Sequence, residues 1–310
     1  MQTRGRGVVA YLLELNRLQG HSCMMDIESM TRWTSLARVV DPSIRNHRLI
    51  IALSALGGAV GFLIGLLFRD SGFVGGLQLG VLCGFGVFFS WVIARELDPD
   101  HPNSGLLPPF LVVPAILAIG APSLVMAFWI VILLRMVNRS TGLPAKPLDS
   151  LMLLAMALWL TLTGFPSAGL LTGLVMLVDS ALPDSHPYHR YVGAAVAVLG
   201  AGYLLFQPLA LNPPVQITSL VMTATLGLIF LVAVSLQSSP QAECDFADRQ
   251  LSKSRVRAGQ VAGLALALIF MLLHGANGIQ ANLPLWAAMA GVGLYGLIAP
   301  WLRKPGLPEL

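Results

Sequence analysis

The chain has 310 residues, of which 55% are hydrophobic and only 11% charged, with a mean hydropathy of +0.74. A soluble domain carries about 25% charged residues, so this composition excludes a soluble globular protein, a disordered chain, a coiled coil and a disulfide-rich secreted module. It leaves a polytopic membrane protein, whose formal charge of +4 points to loops beside anionic lipid rather than to nucleic acid.

Residues 1–48 hold 11 of the 34 charges and no apolar run approaching the 18 or so residues that a spanning helix needs. The run Val8-Val9-Ala10-Tyr11-Leu12-Leu13 follows Arg4 and Arg6 but is too short for a signal-peptide core, and no small-x-small cleavage site follows it. From Ile27, apolar Met30, Trp33, Leu36, Ala37 and Val40 recur at helical spacing, with Glu28, Arg32 and Arg38 between them. This pattern fits a helix at the membrane surface, and equally one packed against the protein's own cytoplasmic side. Met24 and Met25 are alternative starts.

Nine long apolar stretches follow: 49–68, 73–94, 102–134, 148–163, 167–182, 191–206, 216–236, 258–273 and 283–302, uncharged but for Asp149 and Asp179 near the ends of theirs. Backbone polar groups in lipid must be satisfied within the segment, so each reads as spanning helix. The stretch 102–134 is too long for one span, and Gly120-Ala121-Pro122 interrupts it as a turn. Dividing it there makes ten spans. Segments 1–48, 95–104, 135–147, 183–190, 237–257 and 303–310 then share one face and carry 18 of the 19 basic residues. Only Arg69 lies opposite, so the positive-inside rule selects ten helices in five hairpins with both termini cytoplasmic.

The expected organisation is an all-α membrane bundle over 49–302, a cytoplasmic or interfacial segment 1–48 and a tail 303–310. The setting expected is the cytoplasmic (inner) membrane of a bacterium, since 16 of the basic residues are Arg and 3 are Lys in an Ala-, Gly- and Leu-rich chain. About 300 residues, ten helices and inside termini resemble the drug/metabolite transporter architecture. The likeness is one of layout, with no family motif and no residue assignments.

In the first hairpin, Gly57, Gly61 and Gly65 recur every fourth residue, as do Gly72, Gly76, Gly80 and Gly84. Four-residue spacing stacks glycines on one helix face, where backbones can approach closely. The stripes read as packing within the hairpin, with a homo-oligomer or partner-subunit face as the alternative. Gly169/Gly173 and Gly259/Gly263 are single, weaker matches.

No Asp, Glu, Lys or Arg falls near the centre of an expected span, which argues against an ion-coupled carrier. A facilitator remains open through Gln78, Trp91, Trp129 or Trp159, residues that equally serve as packing or interface anchors. The inner loops hold the candidate chemistry. Glu96, Asp98 and Asp100 offer oxygen ligands for Mg²⁺ or Mn²⁺, with His101 beside them. Arg135, Asn138, Arg139 and Lys146 offer a phosphate clamp. Asp179, Asp184, His186, His189 and Arg190 follow, and His101 or His186 would move the proton. Each of these residue types is also ordinary in turns and at helix ends. The segment 237–257 reads as a solvated loop, and His274 as a solvated histidine in an outer turn. No Walker, nucleophile-elbow, zincin or haem-attachment motif occurs, and Cys23, Cys83 and Cys244 suit neither a disulfide framework nor a zinc site.

Three readings follow. An enzyme acting on a lipid-linked phosphate at the cytoplasmic face rests on the loops, a small-solute transporter on the layout, and a non-catalytic membrane subunit on the missing motifs.

Overall fold

The computed structural model describes residues 33–38, 40–68, 72–207, 216–237, 240–247 and 249–302. They are almost wholly helical, and the pairing of Glu243 with Gln250 is the only β-bridge among them. In chain order the helices are α1 (Arg45–Phe68), α2 (Gly72–Leu97), a 3₁₀ turn (Pro102–Leu106), α3 (Pro108–Ile119), α4 (Leu124–Asn138) and α5 (Pro147–Leu162). They continue as α6 (Ser167–Ala181), α7 (Tyr188–Phe206), α8 (Ile217–Leu236), α9 (Lys253–Ala281) and α10 (Leu283–Leu302).

Six of these helical segments among the described residues are long and apolar enough to cross a membrane: α1, α2, the 3₁₀ turn joined to α3, α7, α8 and α9. The protein is therefore compatible with a multi-pass membrane protein. Helices α4, α5, α6 and the apolar part of α10 are shorter. Fifteen residues of α4 rise about 22 Å, less than a hydrocarbon core of about 30 Å.

Local chemistry explains the breaks. Helix α3 stops at Gly120, whose φ of 132° few side chains tolerate. Ser123 then caps α4, its hydroxyl accepting the Met126 amide at 3.2 Å, which satisfies one of the free amides at a helix start. The stretch 102–134 thus holds two helices. Helix α9 runs past its expected end at residue 273 because the sequence signal there, Gly275, makes a kink rather than a loop. Its φ of 58° and ψ of −136° break the helix, which resumes and ends at Ala281. The expected outer turn over 274–282 is therefore mostly helix.

From Met126 to Val137, helix α4 is apolar except for Arg135 and buried except at Phe128 and Arg135. It forms the core with the C-terminal half of α2, the middle of α9 and the first half of α10. Trp129 lies wholly inside, donating to Thr172 Oγ1 at 3.0 Å and meeting Phe270 edge-on. Trp91 is buried as well, whereas Trp159 is exposed. Helices α1, α7 and α8 form the periphery and turn Leu56, Leu63, Val198, Leu199, Leu228 and Leu231 outward, as lipid-facing surfaces do.

The α1–α2 hairpin packs backbone on backbone. A Cβ built on Gly65 would stand 2.7 Å from Gly76 Cα, one on Gly80 2.8 Å from Gly58 O, one on Gly76 3.1 Å from Phe62 O and one on Gly84 3.1 Å from Ser54 O. Gly61 faces Cys83 and Leu79 O, and Gly57 faces Val87 and Val113 side chains. Gly72 does not belong to this stripe: it has φ +62° and nothing within 4 Å of its would-be Cβ, so it serves the turn. Gly65→Leu is expected to lower stability by about 1–3 kcal/mol through overpacking, and Leu63→Ala, at an exposed position, by far less. Thermal unfolding of the detergent-solubilised protein measures both.

Candidate functional site

The ends of α2, α4 and α6 and the starts of α5, α7 and α9 meet at one end of the bundle, where most buried charge collects. Glu96, at the end of α2 and 1% exposed, is the first hub. Its Oε1 accepts Arg135 Nε at 3.0 Å, Arg38 Nη1 at 3.3 Å and Ser140 Oγ at 3.3 Å. Arg135 also donates to Leu36 O at 2.9 Å, and Arg38 grips Asp245 through Nε at 2.5 Å and Nη2 at 2.7 Å. Burial pushes the Asp245 carboxyl above its ordinary value against the pull of Arg38.

Asp179, at the end of α6 and wholly buried, is the second hub. Arg255 Nη1 donates to Asp179 Oδ1 at 2.8 Å, and Asp179 Oδ2 pairs with His189 Nδ1 at 2.6 Å. His189 Nε2 meets Ser150 Oγ at 3.1 Å, and that hydroxyl meets Tyr188 OH at 2.9 Å. Carboxylate, imidazole and hydroxyl thus have the connectivity of an activated nucleophile. Ser150, however, is buried and shared with Tyr188, so the relay acts as a strut joining α5, α6 and α7. Arg255 also donates to Val137 O at 2.8 Å and Pro183 O at 3.0 Å, binding the start of α9 to the last turn of α4 and to the loop after α6.

The candidate residues separate between these hubs. Arg135 joins Glu96. Arg139 ends α4 in the left-handed conformation, donates to Asp184 O and comes within 3.8 Å of Asp179. Asn138 donates to Glu96 O at 2.7 Å and packs against Gly259. The Lys146 backbone amide donates to Asp149 Oδ2 at 2.9 Å, at the start of α5. Asp149 also receives Thr34 and Ser35, which ties residues 34–36 beneath the bundle. The helix expected from Ile27 lies largely outside the described residues, and 34–38 are not helical.

The proposed metal set does not assemble. Glu96 faces the arginines, Asp98 Oδ1 pairs with His101 Nδ1 at 2.9 Å, and Asp100 Oδ1 accepts the Gln241 and Ala242 amides at 2.9 and 2.8 Å. Among the described residues no group of three His, Cys, Asp or Glu side chains is placed to hold a metal ion. Consecutive acidic residues at a helix end point in different directions, so D-x-D spacing alone did not bring their oxygens together. His101 and His186 do not share a site: His101 packs on Tyr295, while His186 stacks 4.0 Å from the Tyr188 ring. Desolvation, then the charges of His189 and Arg139, holds His186 below the ordinary histidine value.

Two other expectations change. The segment 237–257 is not simply a solvated loop: the Asp245 and Phe246 amides donate to Ser140 O and Thr141 O at 3.1 and 3.0 Å, and Arg255 is buried. His274 is half-buried, with Nε2 at 2.8 Å from Ser167 Oγ and its ring against Phe165 and Phe270.

Beside the Glu96 hub a groove of about 560 Å³ runs along α2, α4 and α5. Phe88, Phe89, Phe128, Val131, Ile132 and Met152 form its apolar wall, and Arg38, Arg95, Arg135, Glu96 and Asp245 its polar end. Arg95 differs from its neighbours. Its Nη1 donates to Pro99 O at 3.3 Å, and no carboxylate among the described residues lies within ion-pair distance. Glu96 Oε2 is buried without a hydrogen-bond partner among the described residues. Arg38 and Arg95 were not among the candidate residues, because nothing in their sequence surroundings distinguishes them from ordinary basic residues of an inner loop. Compared with known proteins, the chain matches no family model, no curated protein and no solved structure.

Proposed function

We propose that this chain is a ten-span protein of a bacterial inner membrane, with both termini cytoplasmic, that takes a lipid-linked phosphate into the groove beside Glu96. The observation that carries the reading is the groove's two-part lining: an aromatic and aliphatic wall long enough for part of an acyl or prenyl chain, ending at Arg95. Arg135 and Arg38 are balanced by Glu96 and Asp245. Asp149 is satisfied by Thr34, Ser35 and the Lys146 amide. Among the described residues lining the groove, the Arg95 guanidinium therefore remains for one phosphate charge, and arginine suits phosphate geometrically. Glu96 Oε2 adds an acceptor for a headgroup hydroxyl or ammonium. The basic-residue distribution supports the topology, placing the groove at the cytoplasmic leaflet.

Native mass spectrometry of the protein exchanged between lipids tests the binding. Arg95→Gln is expected to weaken retention of a phospholipid about tenfold, since a charge-assisted hydrogen bond to phosphate contributes about 1.5–3 kcal/mol. Leu148→Trp, which narrows the groove from an exposed position, is expected to weaken phospholipid and diacylglycerol alike. Equal retention by wild type, R95Q and L148W rejects the reading.

A further inference from the structure

At the opposite end of the bundle, the α3–α4 turn, the α5–α6 turn and the ends of α7 and α9 border an open cavity of about 680 Å³. We infer that it binds a neutral polyhydroxylated group, presented either as a free saccharide or as the headgroup of a glycolipid. The inference does not depend on the phosphate groove, which is built from the other ends of α4 and α5.

The lining excludes ionic ligands by its composition. Ser123, Thr163, Gln207, His274, Asn277 and Gln280 supply its polar side chains, and among the described residues it contains no Asp, Glu, Lys or Arg. A charged solute entering there would lose hydration without an opposite charge to replace it. A hydroxylated solute both donates and accepts, as amides and hydroxyls do. The apolar remainder of the lining includes Phe165, Leu204 and Leu273, surfaces on which the C–H face of a sugar ring can rest. The volume lies within the range of about 300–1,000 Å³ usual for small-molecule sites.

The backbone around the cavity is built rather than frayed. Ser123 N donates to Ala281 O at 3.2 Å, and Gln280 Nε2 to Ala121 O at 3.0 Å, locking the α3–α4 turn to the end of α9. His274 is held by Ser167, which is itself fully buried. The break at Gly275 falls between cavity-lining His274 and Asn277. Non-helical backbone in a membrane bundle is tolerated where it is enclosed by protein or lines a polar cavity. Gln280 Oε1 and the exposed Asn277 amide remain to meet a ligand.

The test uses the full chain in phosphatidylcholine nanodiscs. One arm titrates free glucose and maltose by calorimetry; the other measures enrichment of a monogalactosyl lipid around the protein by native mass spectrometry. Acetate and choline serve as charged probes. Wild type is expected to bind in one of the two arms, which identifies the source of the sugar, and to ignore both ions. Asn277→Leu, at an exposed position, is expected to weaken that binding about tenfold, and Thr163→Trp to weaken it as well by projecting an indole into the cavity. Arg95→Gln is expected to leave it unchanged, which separates this result from the phosphate reading. Absence of saccharide binding in both arms, binding of the ions at equal strength, or indifference to N277L and T163W in protein with unaltered melting overturns the inference.

Discussion

Asp179→Ala is expected to destabilise the protein by about 3–5 kcal/mol, the usual consequence of deleting one partner from a buried charge pair. Arg255 would lose its carboxylate while keeping its bonds to Val137 O and Pro183 O, and His189 would lose the acceptor on Nδ1. Arg139, 2% exposed and already without a hydrogen bond on Nε and Nη2 among the described residues, would lose the carboxylate 3.8 Å from its Nε. The size of the effect comes from the stranded cations more than from the lost bonds. Asp179→Ala combined with Arg255→Met is therefore expected to recover part of the loss, because an apolar replacement of a whole buried pair is often neutral. Melting temperatures of the single and double variants in one detergent measure this. A double variant less stable than D179A alone would show that Arg255 serves mainly through its bonds to Val137 O and Pro183 O.

The second large effect is expected in the α6–α7 hairpin. A Cβ on Gly173 would lie 2.3 Å from Ala197 N and 2.6 Å from Ala197 Cα, and one on Gly200 would lie 2.3 Å from Leu170 N. These neighbours are backbone and cannot rotate away. Gly173→Ala is therefore expected to cost about 3 kcal/mol, at the upper end for overpacking. Gly57→Ala meets the flexible Val87 side chain at 3.0 Å and is expected to cost about 1 kcal/mol or less. Gly202→Ala, on the same helix α7 with nothing within 4 Å of the new methyl, is expected to raise stability by about 0.4–1 kcal/mol through reduced chain entropy and better helix propensity. Thermal unfolding of the three alanine variants ranks them, and a destabilised G202A would contradict the assignment of an open methyl position.

The glycine comparison shows how sequence spacing and packing diverge. Runs of four-residue steps single out the first hairpin, yet Gly173 and Gly200 approach facing backbone more closely than any glycine of that hairpin, one of them in a lone G-x-x-x-G and the other on the facing helix. Spacing reports which residues share a face of one helix. It carries no information on the facing helix, where Ala197 and Leu170 supply the backbone that makes those glycines necessary. Gly72 shows the reverse, since its four-residue step from Gly76 is accompanied by a turn conformation and no neighbour.

The charged loops diverge in the same way. Their shared end of the bundle was legible from the alternation of apolar stretches and from the clustering of Arg and Lys between alternate ones. Their pairing was not, because the Glu96 hub joins residues 38, 96, 135 and 140, and the Asp179 hub joins residues 179, 189 and 255. Asp98 and Asp100, close to Glu96 in the chain, end with His101 and with the amides of residues 241 and 242 instead.

Composition and the length of apolar runs by themselves determined that the chain is helical and membrane-like, because lipid requires each buried backbone to satisfy its own hydrogen bonds. Gly120 determined the division of 102–134, since its φ of 132° does not continue an α-helix. Only the tertiary structure decided that α4 is the central helix, that no carboxylate among the described residues pairs with Arg95 while Arg38 and Arg135 have theirs, and that Gly275 bends α9 beside a cavity with no Asp, Glu, Lys or Arg among its described lining instead of ending the helix. The physical reason is common to all three. Periodicity and local conformational preference act within a few residues of the chain, whereas burial, charge pairing and cavities depend on groups supplied by distant segments.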